Sequence, residues 1–391
     1  MKVPSIFDQL AQLTAAVGAT LDDAAREKVI VALHKAANSL ETPENTIHRY
    51  GHMNLQTASV KIGFDLGIFK LLAASEGGLT VDEVSQKTGA DTELTNRILR
   101  FLASIDAVDE IGKDRYAANH VTKNLTEKMV EAGLSHYFLT ASPQYQGLPA
   151  YLKKTNYKTP IDEVNTCFQD VWNRPNAYAL FTDHPENLTA FNDYMALRRK
   201  PDLTWLSVYP VAEEAKDSQS DPDRPVFVNI GGGVGHQCAQ FKEKYPDLAG
   251  RVILQDMPHS IAKALPTPGV ENMVHDIFQP QPIKGAKFYH MRGVLHNHPP
   301  HKVRKLLEHI KSVMAPDSVL LVDEMVLPET GVSYDVASLD MTMMGVFASL
   351  ERTEAQWRDT FRDVGLELVR TYTYMPLMYE SVMDVRLPKV A

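Results

Sequence analysis

The sequence has few cysteines, no long apolar run and a deficit of positive charge. Only Cys167 and Cys238 occur among 391 residues, so disulfides cannot hold a chain of this size together, and we expect a reducing, cytoplasmic environment. No stretch approaches the roughly 20 apolar residues that a bilayer-spanning helix needs, which predicts no membrane partner. Lys and Arg number 40 against 49 Asp and Glu, and this net charge of −9 argues against a nucleic-acid partner.

The composition otherwise is that of a globular protein with two or three domains. Hydrophobic residues make up 44% of the chain, and 15 methionines, 15 tyrosines and 14 phenylalanines supply bulky, adaptable side chains. Such a content is compatible with a pocket for an apolar ligand. Apolar residues at helical spacing before residue 18, at Ile6, Leu10 and Leu13, predict an amphipathic helix rather than a signal peptide.

The first 120 residues carry helix and hairpin signals. A helix is predicted over 24–37, and Thr80 with Glu83 forms a capping-box pattern at the start of another. A further helix at 92–101 and a strand–turn–strand at 107–116 complete a winged-helix pattern. Two interpretations are open for this unit, DNA binding or dimerisation. Because its second helix offers only Arg97 and Arg100 as cations, we favour dimerisation.

The chain changes texture after a polar loop at 214–225. Residues 121–213 are predicted to be mostly helical, whereas residues 226–391 alternate short buried strands with helices. This alternation predicts an α/β fold with a doubly wound, Rossmann-like parallel sheet. We expect strands at 226–230, 251–255, 287–291 and 319–322, with a short one before His275. The predicted domains are therefore 1–120, 121–213 and 226–391.

A glycine-rich motif opens the α/β region. The strand at 226–230 runs into Gly231, Gly233 and Gly235, and glycines allow the backbone to approach a ligand closely. The next strand ends at Asp256, near the offset expected for an acid that binds the hydroxyls of a ribose. A third strand is followed by Asp276, which can reach an adenine amine. Three such signals in order predict a cofactor that contains adenosine.

A histidine at the end of the fourth strand is the natural general base. His296 has an ordinary pKa of about 6.5, which suits removal of a proton from a phenol or enol. Glu324 follows a later strand and Glu351 precedes a helix, and both are candidates to flank the imidazole. The alternative for Glu351 is a surface ion pair beside a helix cap. Several histidines lie nearby, but no carboxylate or cysteine completes a ligand set, so we predict no metal.

Together these motifs resemble the S-adenosylmethionine-dependent O-methyltransferases of the dimeric, winged-helix class common in fungal secondary metabolism. The resemblance covers roughly residues 40–375. It implies a helical and winged-helix dimerisation domain, a helical connector that contributes to the substrate pocket, a homodimer, a small-molecule substrate and S-adenosylmethionine as cofactor. It implies that the cofactor lies among Gly231, Gly233, Gly235, Asp256, Met257, Asp276, Ile277, Phe278 and Arg292. It implies that His296 is the base beside Glu324 and Glu351, with His136 and Met195 in the region that caps the substrate.

Two positions depart from the pattern of that family. Asn229 stands where the family usually has Asp before the glycines, and Asn297 stands where it has Asp after the catalytic histidine. Two functions therefore compete. One is O-methyl transfer to a bulky aromatic or polyketide-type molecule. The other is a pericyclic or dehydration reaction on a pyridone-type polyketide without methyl transfer, in which His136, Arg292 and His296 polarise the substrate, as in pericyclases of the same fold.

Overall fold

The computed structural model describes residues 18, 20–198, 203–216 and 221–389. The amphipathic helix predicted before residue 18 lies outside these ranges. Contacts between residues divide the chain into two units, one that ends at Leu134 and one that begins at Ser135. Most of the segment predicted as a helical connector therefore belongs to the second unit. In the ranges described, no helix is long and apolar enough to cross a membrane.

The first unit starts with helices that bury little of their own surface. Asp22 caps the first helix and Thr42 caps the second through a capping box, so both begin where their sequences provide a side-chain acceptor. Neither of these two helices contains a buried residue. The helices are α1 (Asp23–Asn38), α2 (Pro43–Gly51), α3 (Met53–Asp65) and α4 (Ile68–Ala73).

The winged-helix pattern is present in the first unit. Its elements are β1 (Leu79–Thr80), α5 (Val81–Thr88), α6 (Thr92–Ser104), β2 (Asp109–Gly112) and β3 (Arg115–Ala117), with β3 between β1 and β2. The Thr80 capping box opens α5 as predicted. On α6, Arg97 forms an ion pair with Glu93 at 2.6 Å, so one of its two cations is already paired. Two further helices follow, α7 (His120–Thr126) and α8 (Lys128–His136).

The second unit opens with a π-helical turn at Tyr137–Ala141, which joins α8 to α9 (Ser142–Lys154). Pro149 lies inside α9. The other helices before the sheet are α10 (Cys167–Trp172), α11 (Ala177–Asp183), α12 (Pro185–Leu197) and α13 (Val211–Glu214), and a 3-10 turn covers Trp205–Ser207.

The sheet of the second unit is mixed, although its central strands are parallel. The strand order is β10-β11-β8-β7-β4-β5-β6, and β9 pairs with β8. The strands are β4 (Pro225–Ile230), β5 (Arg251–Asp256), β6 (Val270–Val274), β7 (Phe288–Arg292), β8 (Val319–Leu327), β9 (Arg352–Thr353), β10 (Glu367–Met375) and β11 (Glu380–Arg386). The helices are α14 (His236–Lys244), α15 (Pro258–Ile261), α16 (Pro300–Lys311), α17 (Tyr334–Phe347) and α18 (Glu354–Arg362).

This architecture confirms the predicted α/β fold but corrects one detail. The expectation of a purely parallel sheet was wrong at one edge, because β11 pairs antiparallel with β8 and β10 pairs antiparallel with β11. A tight turn after Met375 joins the two strands, so this edge is a hairpin and needs no crossover helix.

Alternating side chains along the strands divide the core of the sheet into two faces. Met291 and Val322 pack on one face with Trp357 of α18. Phe288 and Leu321 pack on the other with Trp205. Because side chains alternate along a strand, Glu324 falls on the first face, whereas His290, Arg292 and Asp323 fall on the second. The two faces therefore carry two separate sets of polar side chains.

Candidate active site

The glycine motif forms a tight loop between β4 and α14. Gly231, Gly233 and Gly235 have φ angles of 63°, 62° and 96°, which a residue with a side chain rarely adopts. A Cβ atom on Gly233 would meet no protein atom within 4 Å, so open space lies beside the loop. Gly235 is also the N-cap of α14, whose first amides point toward this space. The loop is thus shaped to take a ligand against its backbone.

Asp256 supports this loop from the end of β5. Its two carboxylate oxygens accept hydrogen bonds from Gly233 N and Met257 N, each at 2.7 Å. Each oxygen keeps a second lone pair for a pair of ligand hydroxyls. The side chain of Met257 is 45% exposed beside it, an apolar surface next to a polar one. Asp256 therefore fits a ribose ring and fixes the loop at the same time.

The segment after β6 continues the same edge. His275 N donates to Asp256 O at 3.0 Å, which joins the ends of the two strands. Asp276 accepts from Phe278 N at 3.0 Å, and Ile277 and Phe278 pack against the core of the sheet. The predicted adenine-binding residues are thus brought next to the predicted ribose-binding residue.

His296 lies on a 3-10 turn, Leu295–Asn297, just beyond β7. Its Nδ1 lies 2.8 Å from Oε1 of Glu351, whose side chain is fully buried. This contact fixes the proton on Nδ1, so Nε2 is left as the basic nitrogen. Since the imidazole is 22% exposed, Nε2 is open to a ligand. The pairing of His296 with Glu351 replaces the alternative of a surface ion pair for that glutamate.

Glu324 acts on the backbone of the turn. Its Oε1 accepts from Val294 N at 2.9 Å and from Leu295 N at 2.7 Å. It therefore holds the turn that carries the imidazole, and it does not orient the ring itself as predicted. Burial raises the pKa of Glu324 to about 7.

The charges around His296 outweigh its burial. Burial alone would lower the pKa of the imidazole, but the negative charges of Glu324 and Glu351 raise the pKa to about 9. Arg198, at the end of α12, opposes this increase through its positive charge. The site therefore favours the imidazolium, and a nearby cation moderates that preference.

Two residues of this cluster, the half-buried Asp340 and the buried Arg352, were not predicted. Glu351 N donates to Asp340 Oδ1 at 2.7 Å, and burial raises the pKa of Asp340. Arg352 is only 3% exposed and lies 4.9 Å above the ring of Trp357, where its charge balances the carboxylates around it. Their local sequence resembles an ordinary helix start, and Thr353 does cap α18. Only the folded structure distinguishes the buried cation from a surface one.

The residues after His296 hold the turn in place. Asn297 Nδ2 donates to Gly293 O at 2.8 Å, a bond that an aspartate could not make. His298 packs edge-on against Phe278, with ring centroids 4.9 Å apart, and burial lowers the pKa of His298 to about 4. The Asn297 departure from the family pattern thus has a structural role.

Arg292 is placed away from the imidazole. It pairs with Glu380 at 3.1 Å and with Asp323 at 3.4 Å, and it lies 5.8 Å from the ring centroid of Tyr374. Two carboxylates therefore neutralise its charge on the second face of the sheet. The contacts of Arg292 are with these acids and not with His296. They do not support the prediction that Arg292 polarises a substrate.

His136 lies in a group of aromatic rings. Its ring centroid is 5.2 Å from that of Phe191 and 6.2 Å from that of Tyr194, and burial lowers the pKa of His136 to about 4. Its Nδ1 is buried without a hydrogen-bond partner. Arg198 lies 5.7 Å from the Tyr194 ring and also acts on His296, so it links this group to the base. Met195 follows Tyr194 and is half-buried.

Helix α17 carries several methionine side chains and packs against α9. Tyr145 of α9 bonds to Thr342 at 2.8 Å, and a Cβ on Gly345 would lie 2.5 Å from Gln144 Nε2, so the two helices pack closely. Met343 and Met344 on α17 are half-buried.

Within the ranges that the structure describes, no group of three or more His, Cys, Asp or Glu side chains is arranged to hold a metal ion.

Comparison with known proteins gives the chain its family. An O-methyltransferase domain model matches residues 221–367, and an O-methyltransferase dimerisation domain model matches residues 50–128. The O-methyltransferase ucdC of Aspergillus ustus is 37% identical over 88% of this chain and 90% of its own length. The chain belongs to the O-methyltransferase family.

Solved structures agree with this assignment. The structure of LepI in complex with SAM is 32% identical in sequence and superposes with a TM-score of 0.86. The alignment covers 98% of this chain and 100% of the LepI chain. A structure described as a pericyclic reaction enzyme is also 32% identical, covers 99% of both chains and superposes with a TM-score of 0.84. The cofactor of this methyltransferase-family member is S-adenosylmethionine. The open space beside Gly233 and the free lone pairs of Asp256 fit that group.

Proposed function

We propose that this O-methyltransferase-family protein transfers a methyl group to a hydroxyl of a bulky, apolar aromatic or polyketide-type small molecule, with His296 as general base. The observation that carries the proposal is the 2.8 Å contact between His296 Nδ1 and Glu351, because it reserves Nε2, on a partly exposed ring, as the nitrogen that exchanges a proton with the substrate. A buried acid behind the ring stabilises the imidazolium that forms when the base takes a proton.

In the proposed reaction, His296 transfers the proton and the rest of the site positions the reacting groups. When bound, the cofactor supplies a sulfonium methyl group that is already a good electrophile. His296 Nε2 would accept the proton of the substrate hydroxyl as that oxygen takes the methyl group, and the bond from sulfur to that methyl carbon would break to leave a neutral thioether. A base with a pKa of about 9 is well matched to a phenol with a pKa of about 10, so this proton transfer is nearly balanced. Most of the remaining rate comes from positioning.

The side chains around the base favour an apolar aromatic substrate. Tyr137 and Tyr145 are 41% and 37% exposed, and Met343 and Met344 are half-buried on α17. Methionine and aromatic side chains adapt to flat, bulky ligands. Arg198 adds one cation to this lining, and it favours the oxyanion that the substrate hydroxyl becomes.

We further propose that the glycine loop with Asp256, Met257, Asp276, Ile277 and Phe278 holds the cofactor. The proposal rests on the open space at Gly233 and on the shared hydrogen bonds that join the loop, β5 and β6. Arg292 lies at the end of β7 with Glu380, and we assign it a role in shaping the neighbouring sheet edge rather than in catalysis.

The first unit is proposed to form a homodimer with a second copy of this chain. The matched dimerisation domain starts at residue 50, and α1 and α2 expose apolar side chains that bury nothing in the monomer. Ile47 and Tyr50 on α2 are 66% and 60% exposed, and Leu40, between the two helices, is 83% exposed. Light scattering after size exclusion should give twice the monomer mass, and Ile47→Asp should shift it toward the monomer. A monomeric wild-type chain would remove the proposal.

A second candidate function is a pericyclic or dehydration reaction on a pyridone-type polyketide without methyl transfer. The similarity to LepI and the buried, unpartnered Nδ1 of His136 favour it, since a neutral imidazole can polarise a carbonyl by hydrogen bonding. The well-formed pair of His296 with Glu351 favours methyl transfer, because pericyclic chemistry needs no such base. The first candidate is therefore preferred.

One experiment separates the two functions. The full-length protein is incubated with methyl-labelled cofactor and a panel of phenols and pyridones, and products are analysed for label and for mass. Label in the product supports methyl transfer. A rearranged or dehydrated product with the cofactor unconsumed supports the second candidate and removes the first. His301→Ala, which changes a largely exposed histidine, serves as the control variant.

A further inference from the structure

A second histidine lies beneath the glycine loop, on the face of the sheet opposite to Glu324. Asn229 on β4, His290 on β7 and Asp323 on β8 are 1%, 0% and 2% exposed, and none of them has a role in the reaction proposed above. Asn229 and His290 are register partners on adjacent parallel strands. They form a row of polar side chains across three strands in a core that is otherwise apolar.

The row leaves several atoms without hydrogen bonds. His290 Nδ1 lies 3.2 Å from Asn229 Oδ1, and His290 Nε2 lies 3.7 Å from Asp323 Oδ2. Asn229 Nδ2, His290 Nε2 and Asp323 Oδ2 are all buried with no hydrogen-bond partner. Such groups are costly in a low-dielectric core, so an arrangement that satisfies them is strongly preferred.

The direction of the amide explains these unsatisfied atoms. With Oδ1 of Asn229 toward the ring, Nδ1 must donate, and a neutral imidazole then presents a lone pair on Nε2 to the Asp323 carboxylate. Two acceptors would face each other there. Rotation of the amide by half a turn reverses this, because its nitrogen then donates to Nδ1 and the ring proton moves to Nε2, where it points to Asp323. The two amide ends have nearly the same shape, so the rotation displaces no neighbouring group, and a shortening of the 3.7 Å separation between Nε2 and Oδ2 then completes the hydrogen bond.

We propose that Asn229 and a neutral His290 are hydrogen-bonded in this rotated arrangement, with Nε2–H directed to Asp323, and that His290 is a positioning residue for the glycine loop that holds the cofactor. The amide of Asn229 lies directly below the loop, since a Cβ on Gly232 would come within 2.3 Å of its terminal atom. In the rotated position the amide oxygen faces the loop and the thiol of Cys238, which is buried and can donate to it.

The far ends of the chain are held firmly. Trp205 stacks on His290 with ring centroids 4.8 Å apart, and Asp323 accepts from Tyr374 at 2.8 Å. His290 and Asp323 therefore have little freedom, and they transmit this rigidity through Asn229 to the loop. Burial lowers the pKa of His290, which supports a neutral ring.

The proposal gives a reason for an amide at position 229. An aspartate there would offer only acceptors to Nδ1, so the ring would lie between two carboxylates and would be driven toward the imidazolium. The charged and titratable groups that face this ring are Asp323 and Arg292 from the sheet, with Tyr374 and Glu380 behind them and Cys238 on α14. Asn229 keeps the ring neutral without adding a second negative charge.

The first test measures the position of the ring proton. Protein labelled with ¹⁵N-histidine is studied by long-range ¹H–¹⁵N correlation at pH 7 without ligand, and His290 is assigned through its proximity to the Trp205 indole. We expect the tautomer with hydrogen on Nε2. A ring with hydrogen on Nδ1, or an imidazolium, would overturn the proposal.

The second test measures cofactor-site affinity by titration calorimetry with S-adenosylhomocysteine, which does not depend on methyl transfer. We expect Asn229→Asp to weaken binding about tenfold at pH 8 and to recover toward wild type at pH 6, where the ring between two carboxylates is protonated. Wild-type affinity should change little over that range. Tyr289→Phe removes a buried hydroxyl on β7, next to His290 and on the opposite face of the sheet, and serves as the control.

Each outcome of the second test decides the proposal. If Asn229→Asp binds like wild type at both pH values, or if its loss does not depend on pH, the positioning role is wrong. If Tyr289→Phe loses as much affinity, general destabilisation of β7 explains the effect, and the proposal again fails. Thermal unfolding of each variant is measured first. If Asn229→Asp fails to fold, Asn229→Gln replaces it, and a loss of affinity is expected because the longer amide cannot align with Nδ1.

Discussion

Two histidines of the second unit, the partly exposed His296 and the buried His290, lie beside carboxylates and yet differ in charge. His296 contacts Glu351 at 2.8 Å, and the pKa of its imidazole is raised to about 9. His290 lies 3.7 Å from Asp323, and burial lowers the pKa of its imidazole. Burial penalises the charged form of both rings, so the distance to the acids and their number decide the result.

The difference also shows which histidine can act as a base. His296 retains a partly exposed Nε2, while both ring nitrogens of His290 are enclosed by Asn229, Asp323 and the Trp205 ring. A residue that exchanges protons with a substrate needs access to it, whereas a residue that fixes a loop needs the opposite. Two histidine residues, one on each face of the same sheet, are therefore suited to two different functions.

The largest expected effect tests the role of His296. We expect His296→Ala to lower kcat for methyl transfer by about 10²- to 10⁴-fold, the usual contribution of a positioned base, while binding of S-adenosylhomocysteine stays within about twofold. Steady-state kinetics with the labelled cofactor and calorimetry provide the two measurements. Retention of more than a tenth of the wild-type kcat would contradict the assignment of the base.

A smaller effect is expected when the acid behind the ring is removed. Glu351→Gln keeps the shape of the side chain but loses its charge, so the pKa of His296 should fall and kcat should decrease about 10- to 100-fold. The wild-type profile of kcat/KM should rise with pH to a midpoint near 9, and the variant should reach its midpoint at a lower pH. Glu354→Gln, which changes an exposed residue of α18, is the control, and an unmoved midpoint in Glu351→Gln would argue against the pair.

The charge on His296 also predicts a dependence of stability on pH. Its pKa in the folded state is raised to about 9, so its contribution is fully present below the unfolded pKa of about 6.5 and is lost as the pH rises through 9. We expect the free energy of unfolding in urea to fall between pH 6.5 and 9, by about 1–3 kcal/mol more in wild type than in His296→Gln. Equal pH dependence in the two proteins would show that the ring carries no such charge.

The smallest effect is expected at Asn297. Asn297→Asp restores the acid usual in the family but removes the bond to Gly293 O and leaves that carbonyl without its donor. We expect kcat to fall about two- to fivefold, since the loss of one ordinary hydrogen bond is worth about 1 kcal/mol, and the midpoint of the pH profile to move upward, because the new carboxylate lies one residue from His296. An increase in kcat would mean that the turn holds His296 without this bond.

Much of the site could be predicted because its signals are local. Glycines after a buried strand and Asp256 at the end of the next one are close in sequence, and the structure brings them together. The family resemblance, the cofactor and the α/β fold are confirmed by the comparisons. The pairing of His296 with Glu351 spans 55 residues, and the sequence left it open beside the alternative of a surface ion pair.

Other features could not be predicted, because they depend on which distant elements meet. Arg198 ends a helix and carries no local motif, yet its charge reaches His296. The β10–β11 hairpin was missed because its outer strand mixes exposed and buried positions without strict alternation. The buried state of Arg352 depends on Trp357 and three carboxylates around it, which the sequence of a helix start does not reveal.

The π-helical turn at Tyr137–Ala141 sets the rotational phase of α9, the helix that follows it. A π turn contains one residue more than the α-helical path, and one residue in an α-helix corresponds to about 100° of rotation. A single deletion within this turn would therefore rotate the side chains of α9, Tyr145 among them, away from the face that they share with α17. Insertions and deletions here can thus rotate the side chains that α9 contributes to the proposed substrate site, while His296 and its partners stay unchanged.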